Sequence, residues 1–180
     1  ASFAWAAPLS AACDDLPDIL PVINELLYDD APDTPTMNEF IEIKGEAGMS
    51  LDCYVIRAYN GGSDADKCDK YTEISLVGQF IGTNGYWVGA DDDEDLPGAN
   101  MKDSKFDLQN GPDVVALVFI GDGGVELVMD ALAYGENLPA CDYELKEGDA
   151  AQAPPEGQSL SRCPDGDDFD DNDEDFATTL

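Results

Sequence analysis

The chain has 180 residues, of which 40 are acidic, 8 are basic and none is histidine, so its formal net charge at pH 7 is -32. Without imidazole, Ser-His-Asp and Cys-His nucleophiles and histidine-bearing zinc or haem sites are excluded. Nucleic-acid phosphates and anionic lipids are attracted by clustered Lys and Arg, so neither is expected as a partner of this polyanion.

The hydrophobic content predicts a folded core in spite of this charge. Apolar residues make up 43% of the chain and occur in strand-length runs, which is enough to bury one core. The acidic side chains must then lie at the surface, where salt or bound cations relieve their mutual repulsion. We expect an apolar N-terminal arm, residues 1–18, followed by one domain, residues 19–180.

The arm is predicted to mediate assembly. Phe3 and Trp5 alternate with small residues, so an extended arm would place both aromatic rings on one side. If the arm added as a strand to a second molecule, the contact would be heterologous, and its repetition would generate a filament. The alternatives are an arm folded back on its own sheet and a disordered remnant.

Short runs of β-branched and aromatic residues, bounded by Gly, Pro, Asn or Asp, recur along the rest of the chain. In Glu39–Lys44 the alternation is clearest, because Ile41 and Ile43 fall on one face of the predicted strand. The glycine-rich run at 121–124 separates two apolar segments and predicts a hairpin. Such a pattern with few helical periods favours an all-β sandwich. The predicted strands are Val22–Leu27, Glu39–Lys44, Leu51–Tyr59, Tyr71–Val77, Tyr86–Ala90, Val114–Ile120, Val125–Ala133 and Ser159–Cys163.

The cysteines predict disulfides and therefore a location outside the cytosol, because they show no CxxC spacing. Five choices of the unpaired cysteine and three pairings of the other four leave many arrangements open. We favour Cys53 with Cys68, which closes a loop between two predicted strands, and Cys141 with Cys163, which staples a Pro-rich loop. Cys13 is then the unpaired thiol, placed to lock an assembly contact. The alternative for each cysteine is a buried free thiol.

The acidic run near the end of the chain predicts either a calcium-binding loop or a solvated tail. Its carboxylates recur at alternate positions, which suits the oxygen ligands of Ca²⁺, although the run does not match the EF-hand loop. A second acidic run, Asp91–Asp95, is interpreted as either a second cation loop or a mobile loop. The candidate metal ligands are Asp165, Asp167, Asp171, Asp173 and Asp175.

Six segments of the chain follow one another in an order that is typical of a known domain. They are Ile23–Leu26, Glu39–Ile43, Leu51–Ile56, Asn110–Leu117, Val128–Gly135 and Glu156–Arg162. In these segments the chain resembles the lamin-tail domain, in its secreted bacterial branch. The resemblance runs from about Val22 to Phe176 and implies an immunoglobulin-like β-sandwich of about seven to nine strands with no catalytic centre.

Together these features predict an extracellular or cell-surface protein that is not an enzyme. The chain starts with Ala-Ser and lacks a membrane-spanning apolar run, so we interpret it as a processed, secreted product. The leading hypothesis is a structural protein that forms filaments by N-terminal strand donation, with cations neutralising its surface and another copy as partner. The alternative is an accessory carbohydrate- or protein-binding module of a larger secreted protein, which recognises a surface ligand.

Overall fold

The computed structural model describes residues 13, 16–29, 39–61, 68–92, 96–135 and 145–179. The predicted all-β sandwich is confirmed, with ten strands within these ranges. One α-helix of four residues, α1 (Asn172–Asp175), and two short 3-10 helices, Ser104–Phe106 and Asp122–Gly124, are also present there. The strands are β1 (Val22–Leu27), β2 (Phe40–Lys44), β3 (Tyr54–Asn60), β4 (Asp69–Ser75), β5 (Tyr86–Ala90), β6 (Met101–Lys102), β7 (Asp113–Ile120), β8 (Glu126–Tyr134), β9 (Ser159–Arg162) and β10 (Phe176–Thr179).

The strands form two sheets that pack face to face. The larger sheet has six strands in the order β10-β9-β1-β2-β5-β6, and the smaller has four in the order β4-β3-β7-β8. Trp87, Phe106 and Tyr134 are fully buried in the core. A Cβ atom at Gly89 would lie 2.2 Å from the Phe106 ring and 2.6 Å from the Trp87 ring. Only glycine therefore fits the backbone at this point of β5.

The local patterns predicted from the sequence are found in the sheets. Ile41 and Ile43 are fully buried, whereas the residues between and beside them in β2 are half-buried. β7 and β8 are joined by a short turn in which Gly123 and Gly124 have φ values of 78° and 81°. These left-handed conformations favour glycine, so the hairpin prediction is confirmed.

The four-stranded sheet is covered on both faces along β7. In β7, Val114, Ala116 and Val118 form a second apolar layer on the side opposite the main core. Leu145 and Ala150, from the segment that follows β8, pack against this layer. β7 is therefore a continuous apolar run because both of its faces are covered.

The predicted cysteine pairing was wrong. Cys13 is not the unpaired thiol, because it forms a disulfide with Cys53 across a Cα–Cα distance of 5.7 Å. The Cys13 carbonyl oxygen also accepts a hydrogen bond from the Asp122 N–H at 3.1 Å, so the β7–β8 turn holds Cys13 beside the start of β3. The Cys13–Cys53 disulfide joins residues 40 positions apart. The prediction favoured cysteines that close a nearby loop, so it did not find this distant pair.

The remaining cysteines complete the correction. Cys163 is an exposed free thiol, which excludes the predicted Cys141–Cys163 disulfide. Cys68 is disulfide-bonded, but its predicted partner Cys53 is already paired with Cys13. Cys141 lies outside the described residues.

Two further predictions fall partly or wholly outside the described ranges. Phe3 and Trp5, with the rest of the arm before Cys13, are not among the described residues, and neither are positions 93–95 of the second acidic run. Among the described residues, no helix has the length and hydrophobicity needed to cross a membrane.

Candidate functional site: a buried carboxylate cluster beside a groove

Asp130 and Arg162 form the centre of a buried group of charges. Asp130 lies in β8 and is 0% exposed, and Arg162 lies in β9 and is 2% exposed. The Arg162 Nη2 donates to Asp130 Oδ1 at 2.7 Å, and the other Asp130 oxygen accepts the Ile23 N–H of β1. Both carboxylate oxygens are therefore partnered, as burial of a charge requires. The pair joins the edge of the four-stranded sheet to the six-stranded sheet.

The acidic C-terminal run folds around the same guanidinium. Arg162 Nη1 donates to Asp175 Oδ2 at 2.8 Å and to Asp168 Oδ1 at 3.4 Å. The ring of Phe176, the first residue of β10, lies 4.6 Å from the guanidinium carbon. These contacts hold the segment before β10 against β9, so one arginine organises a run whose composition alone predicts a loop or tail.

Glu147 and Asn172 complete the site along the outer edge of β8. Glu147 Oε1 accepts the Ala131 N–H at 3.0 Å, and its Oε2 accepts from Asn172 Nδ2 at 3.2 Å. Asn172 Nδ2 also donates to the Ala131 carbonyl oxygen at 2.9 Å, while its Oδ1 accepts the Ala133 N–H. Side chains therefore satisfy backbone groups that an edge strand would otherwise present to another chain.

Asp130, Glu147 and Asp168 form what we call the carboxylate cluster. One ligand atom from each lies within 4.8 Å of the others, a spacing that could hold a metal ion. Arg162 forms ion pairs with Asp130, Asp168 and Asp175, and Glu147 interacts with its charge without an ion pair being formed. If every group were ionised, negative charge would be in excess around the buried Asp130 and the half-buried Glu147, which burial penalises.

The pKa values of the cluster reflect this excess. Burial, assisted by the charges of Asp130 and Asp168, raises the pKa of Glu147 to about 8. Burial also raises the pKa of Asp130 to about 6, although the Arg162 guanidinium opposes the shift. Near neutral pH, the cluster is therefore stabilised by taking up a proton or a cation.

A groove of about 820 Å³ opens beside the cluster on the outer face of the four-stranded sheet. Arg57 crosses this face and binds Glu126 through two hydrogen bonds of 2.7 and 2.8 Å. Because Glu147 lines the groove, the groove leads from solvent to the carboxylate cluster. Its lining includes Arg57, Tyr59, Leu127, Met129, Leu145 and Glu147.

The five predicted metal ligands are placed elsewhere, and none belongs to the carboxylate cluster. Asp175 is buried against Arg162, and the Asp167 carbonyl oxygen accepts from the same side chain at 3.1 Å. Asp171 caps α1 by accepting the Asp173 N–H at 3.2 Å. Asp165 Oδ2 accepts from the Tyr86 hydroxyl at 3.0 Å. The acidic run thus supplies one member of the cluster, Asp168, which was not among the predicted ligands.

The sequence contained a signal for two of the residues that the prediction missed. Asp130 interrupts the apolar run of β8, and Arg162, one of only eight basic residues, ends a strand pattern. A charge within a buried strand needs an opposite charge, so the two could have been paired on that ground. Glu147 lies in an acidic, loop-like segment, and no neighbouring residue in the sequence distinguishes it from the other acidic side chains.

No protein-family model, no curated protein and no solved structure significantly matches this chain.

Proposed function

We propose that the chain is an extracellular, non-enzymatic sandwich of the lamin-tail type that self-assembles through its N-terminal arm. The observation that carries the proposal is the Cys13–Cys53 disulfide. Disulfides persist mainly in oxidising compartments outside the cytosol. This one also ties Cys13, which follows the apolar stretch Ala1 to Ala12, covalently to Cys53, directly before β3, so a donated strand would be anchored at its base.

The hydrogen bonding of the carboxylate cluster supports a structural role over catalysis. Asp130 and Glu147 both accept backbone N–H groups, and Asp130 also binds Arg162. A general acid or base must instead reach a substrate proton. Burial explains the raised pKa values of these carboxylates, and their role in joining strands explains why they are present, so catalysis is not needed to account for either.

Strand donation is tested by comparing the full chain with a variant that lacks Ala1 to Ser10. At about 0.15 M NaCl with added CaCl₂, where the Debye length is roughly 8 Å, sedimentation velocity and negative-stain images are expected to show polymers of the full chain and monomers of the variant. Phe3→Ala/Trp5→Ala should behave like the deletion, and Ser2→Ala should behave like the full chain. A full chain that stays monomeric, or polymers that survive the deletion, would contradict the proposal.

We further propose Ca²⁺ as the cation that compensates the carboxylate cluster. Ca²⁺ prefers several oxygen ligands, which the three carboxylates supply, and its charge offsets their excess negative charge. Asp168, with 28% of its side chain exposed, makes the cluster accessible from solvent. Millimolar CaCl₂ is expected to raise Tm relative to EDTA. Asp168→Asn should abolish the rise, and Asp173→Asn, at an exposed position outside the cluster, should leave it intact. No rise in the wild-type protein would mean that protons alone compensate the cluster.

The groove favours the second candidate function, an accessory binding module. An aromatic ring, Tyr59, lies in it together with the Arg57 guanidinium and the Glu147 carboxyl group, a combination typical of ligand pockets. Under this alternative, arm deletion leaves a monomer unchanged. A carbohydrate array or a pull-down from the cell surface would then give a ligand that Tyr59→Ala fails to bind.

A further inference from the structure

The two sheets have four edge strands, and three of these are protected on their outer side. β6 has only two residues. The edge of β8 is bonded by Glu147 and Asn172. At β4, Lys105 Nζ donates to the Glu73 carbonyl oxygen at 3.0 Å, and a bulge interrupts the pairing with β3. Short strands, bulges and edge lysines all block pairing with another chain.

Among the described residues, the fourth edge, β10, pairs with no strand other than β9. Its register with β9 covers Phe176 to Thr179. In the part of the chain that the structure describes, no backbone hydrogen bond reaches Ala177, Thr178 or Thr179 from the other side, and all three residues are exposed. β10 is therefore the edge at which another strand can add.

The register shows which groups β10 presents. The Cys163 N–H donates to the Asp175 carbonyl oxygen at 2.9 Å, which makes these residues a hydrogen-bonded pair. Bonded and non-bonded pairs alternate along antiparallel strands, and Thr178 lies three residues after Asp175, opposite Leu160. Thr178 is therefore in a non-bonded pair, so its N–H and C=O point away from β9, towards the open edge.

We propose that the arm of a second copy adds as a strand to β10, an inference that rests on the proposed self-assembly. Charge selects this occupant. Phe176–Thr179 has no charged side chain, and neither does the first part of the arm, Ala1 to Ala12, in a chain of net charge -32. Pairing the two buries no carboxylate and brings no added negative charge to the edge, whereas an acidic partner would be repelled.

An exposed aromatic residue contacts the residue that precedes β10. Phe169 is 64% exposed, and its N–H donates to Asp175 Oδ1 at 3.1 Å, directly before β10. A strand on the open edge would place the rings of Phe3 and Trp5 on one of its sides. Phe169 is thus exposed apolar surface near the beginning of β10, and the outward backbone groups of Thr178 are the contact on which the proposal rests.

The test compares two substitutions at one position in the full chain. Thr178→Pro removes the outward N–H but no bond to β9, and proline is tolerated on an edge strand. Thr178→Val keeps the N–H. We expect Thr178→Pro to raise the critical concentration for polymers about tenfold or more, and Thr178→Val to assemble like the wild-type protein. Near-UV circular dichroism and Tm of the monomers establish that both variants are folded.

Failure of the acceptor edge and failure of self-assembly give different results. Polymers that are lost on arm deletion but formed normally by Thr178→Pro overturn β10 as the acceptor and leave arm-mediated assembly standing. A wild-type chain without polymers, or with polymers that do not need the arm, overturns the proposed function itself.

Hydrogen exchange supplies a measurement that needs no variant. The Thr178 amide is expected to exchange rapidly in dilute monomer and slowly in polymer, whereas the Ala177 amide, paired with Ser161 in β9, is protected in both. Fast exchange of Thr178 in the polymer overturns the inference. Protection of Thr178 in dilute monomer that disappears on arm deletion would show that each arm pairs with its own molecule, which also overturns it.

Discussion

At the scale of single residues, Arg162 holds together parts of the chain that are far apart in sequence. Its guanidinium binds Asp130 of β8, Asp175 before β10 and, through Nε, the Ile23 carbonyl oxygen of β1 at 2.8 Å. A buried ion pair adds little net stability over an apolar replacement of both partners, but removal of one partner leaves the other charge uncompensated. Arg162 is therefore a residue whose loss is costly.

Arg162→Met is expected to lower the free energy of unfolding by about 3 to 5 kcal/mol, because Asp130 and Asp175 would remain buried without their partner. Arg57→Met provides the control and should cost much less, since the partners of Arg57, Glu126 and Glu73, have exposed side chains that water can solvate without it. Urea denaturation measures both. Losses of equal size would show that burial does not distinguish these two arginines.

The raised pKa of Glu147 predicts how the free energy of unfolding depends on pH in the presence of EDTA. Its pKa rises from the ordinary glutamate value of 4.5 to about 8 in the folded protein, so between these values the native state holds a proton that the unfolded state has lost. Stability from this group is complete below pH 4.5 and is lost as the pH rises through 8.

Glu147→Gln should therefore remove part of this pH dependence. From pH 5 to pH 8, the free energy of unfolding of the wild type is expected to fall by about 1 to 2 kcal/mol relative to that of the variant. This value is reduced because Glu147 is only half-buried. Glu174→Gln, at an exposed position of α1, should keep the wild-type profile. Chemical denaturation at several pH values decides, and parallel curves for wild type and Glu147→Gln would contradict the assignment.

At the scale of elements, the sequence located most strands but missed two. The bounds of β1 and β5 agree with prediction, and β2 and β7 differ by one residue. β6 was missed because two residues show no alternation. β10 was missed because it follows directly on an acidic run, and such composition indicates a solvated tail unless a buried arginine draws it onto the sheet.

The Cys13–Cys53 disulfide is the element-level constraint with the clearest expected effect. It links residues 40 positions apart, and loop closure of that length predicts a loss of roughly 3 to 4 kcal/mol for Cys13→Ser/Cys53→Ser. Cys163→Ser should be close to neutral, because Cys163 is free and exposed. Thermal denaturation gives the stabilities, and peptide mapping without reductant should recover a Cys13–Cys53 peptide pair. A pair joining Cys53 to Cys68 would contradict the structure.

At the scale of the whole molecule, the net charge of -32 opposes the compact state. Screening weakens repulsion between surface carboxylates once the Debye length falls to about 10 Å at 0.1 M salt. The same repulsion separates copies of the chain, so the proposed assembly requires contacts, such as Ala1 to Ala12 against β10, that bring no carboxylates together.

Tm is accordingly expected to rise by several degrees between about 10 mM and 150 mM NaCl, over which the Debye length shortens from roughly 30 to 8 Å. CaCl₂ at matched ionic strength should raise Tm further if the carboxylate cluster takes up the ion, and MgCl₂, which demands a tighter octahedral set of ligands, should raise it less. A Tm that is independent of salt would show that surface repulsion does not limit stability.

Much of the architecture was decided by local sequence. Alternation in β2, continuous apolar residues in β7 and glycines in the β7–β8 turn each act over a few residues, so the all-β sandwich could be predicted from them. The tertiary structure alone decided which cysteines pair, which carboxylates meet and which sheet edge stays open. Those outcomes depend on contacts such as Asp130 with Arg162, 32 positions apart, where the cost of burying a charge is set by neighbours that only the folded chain supplies.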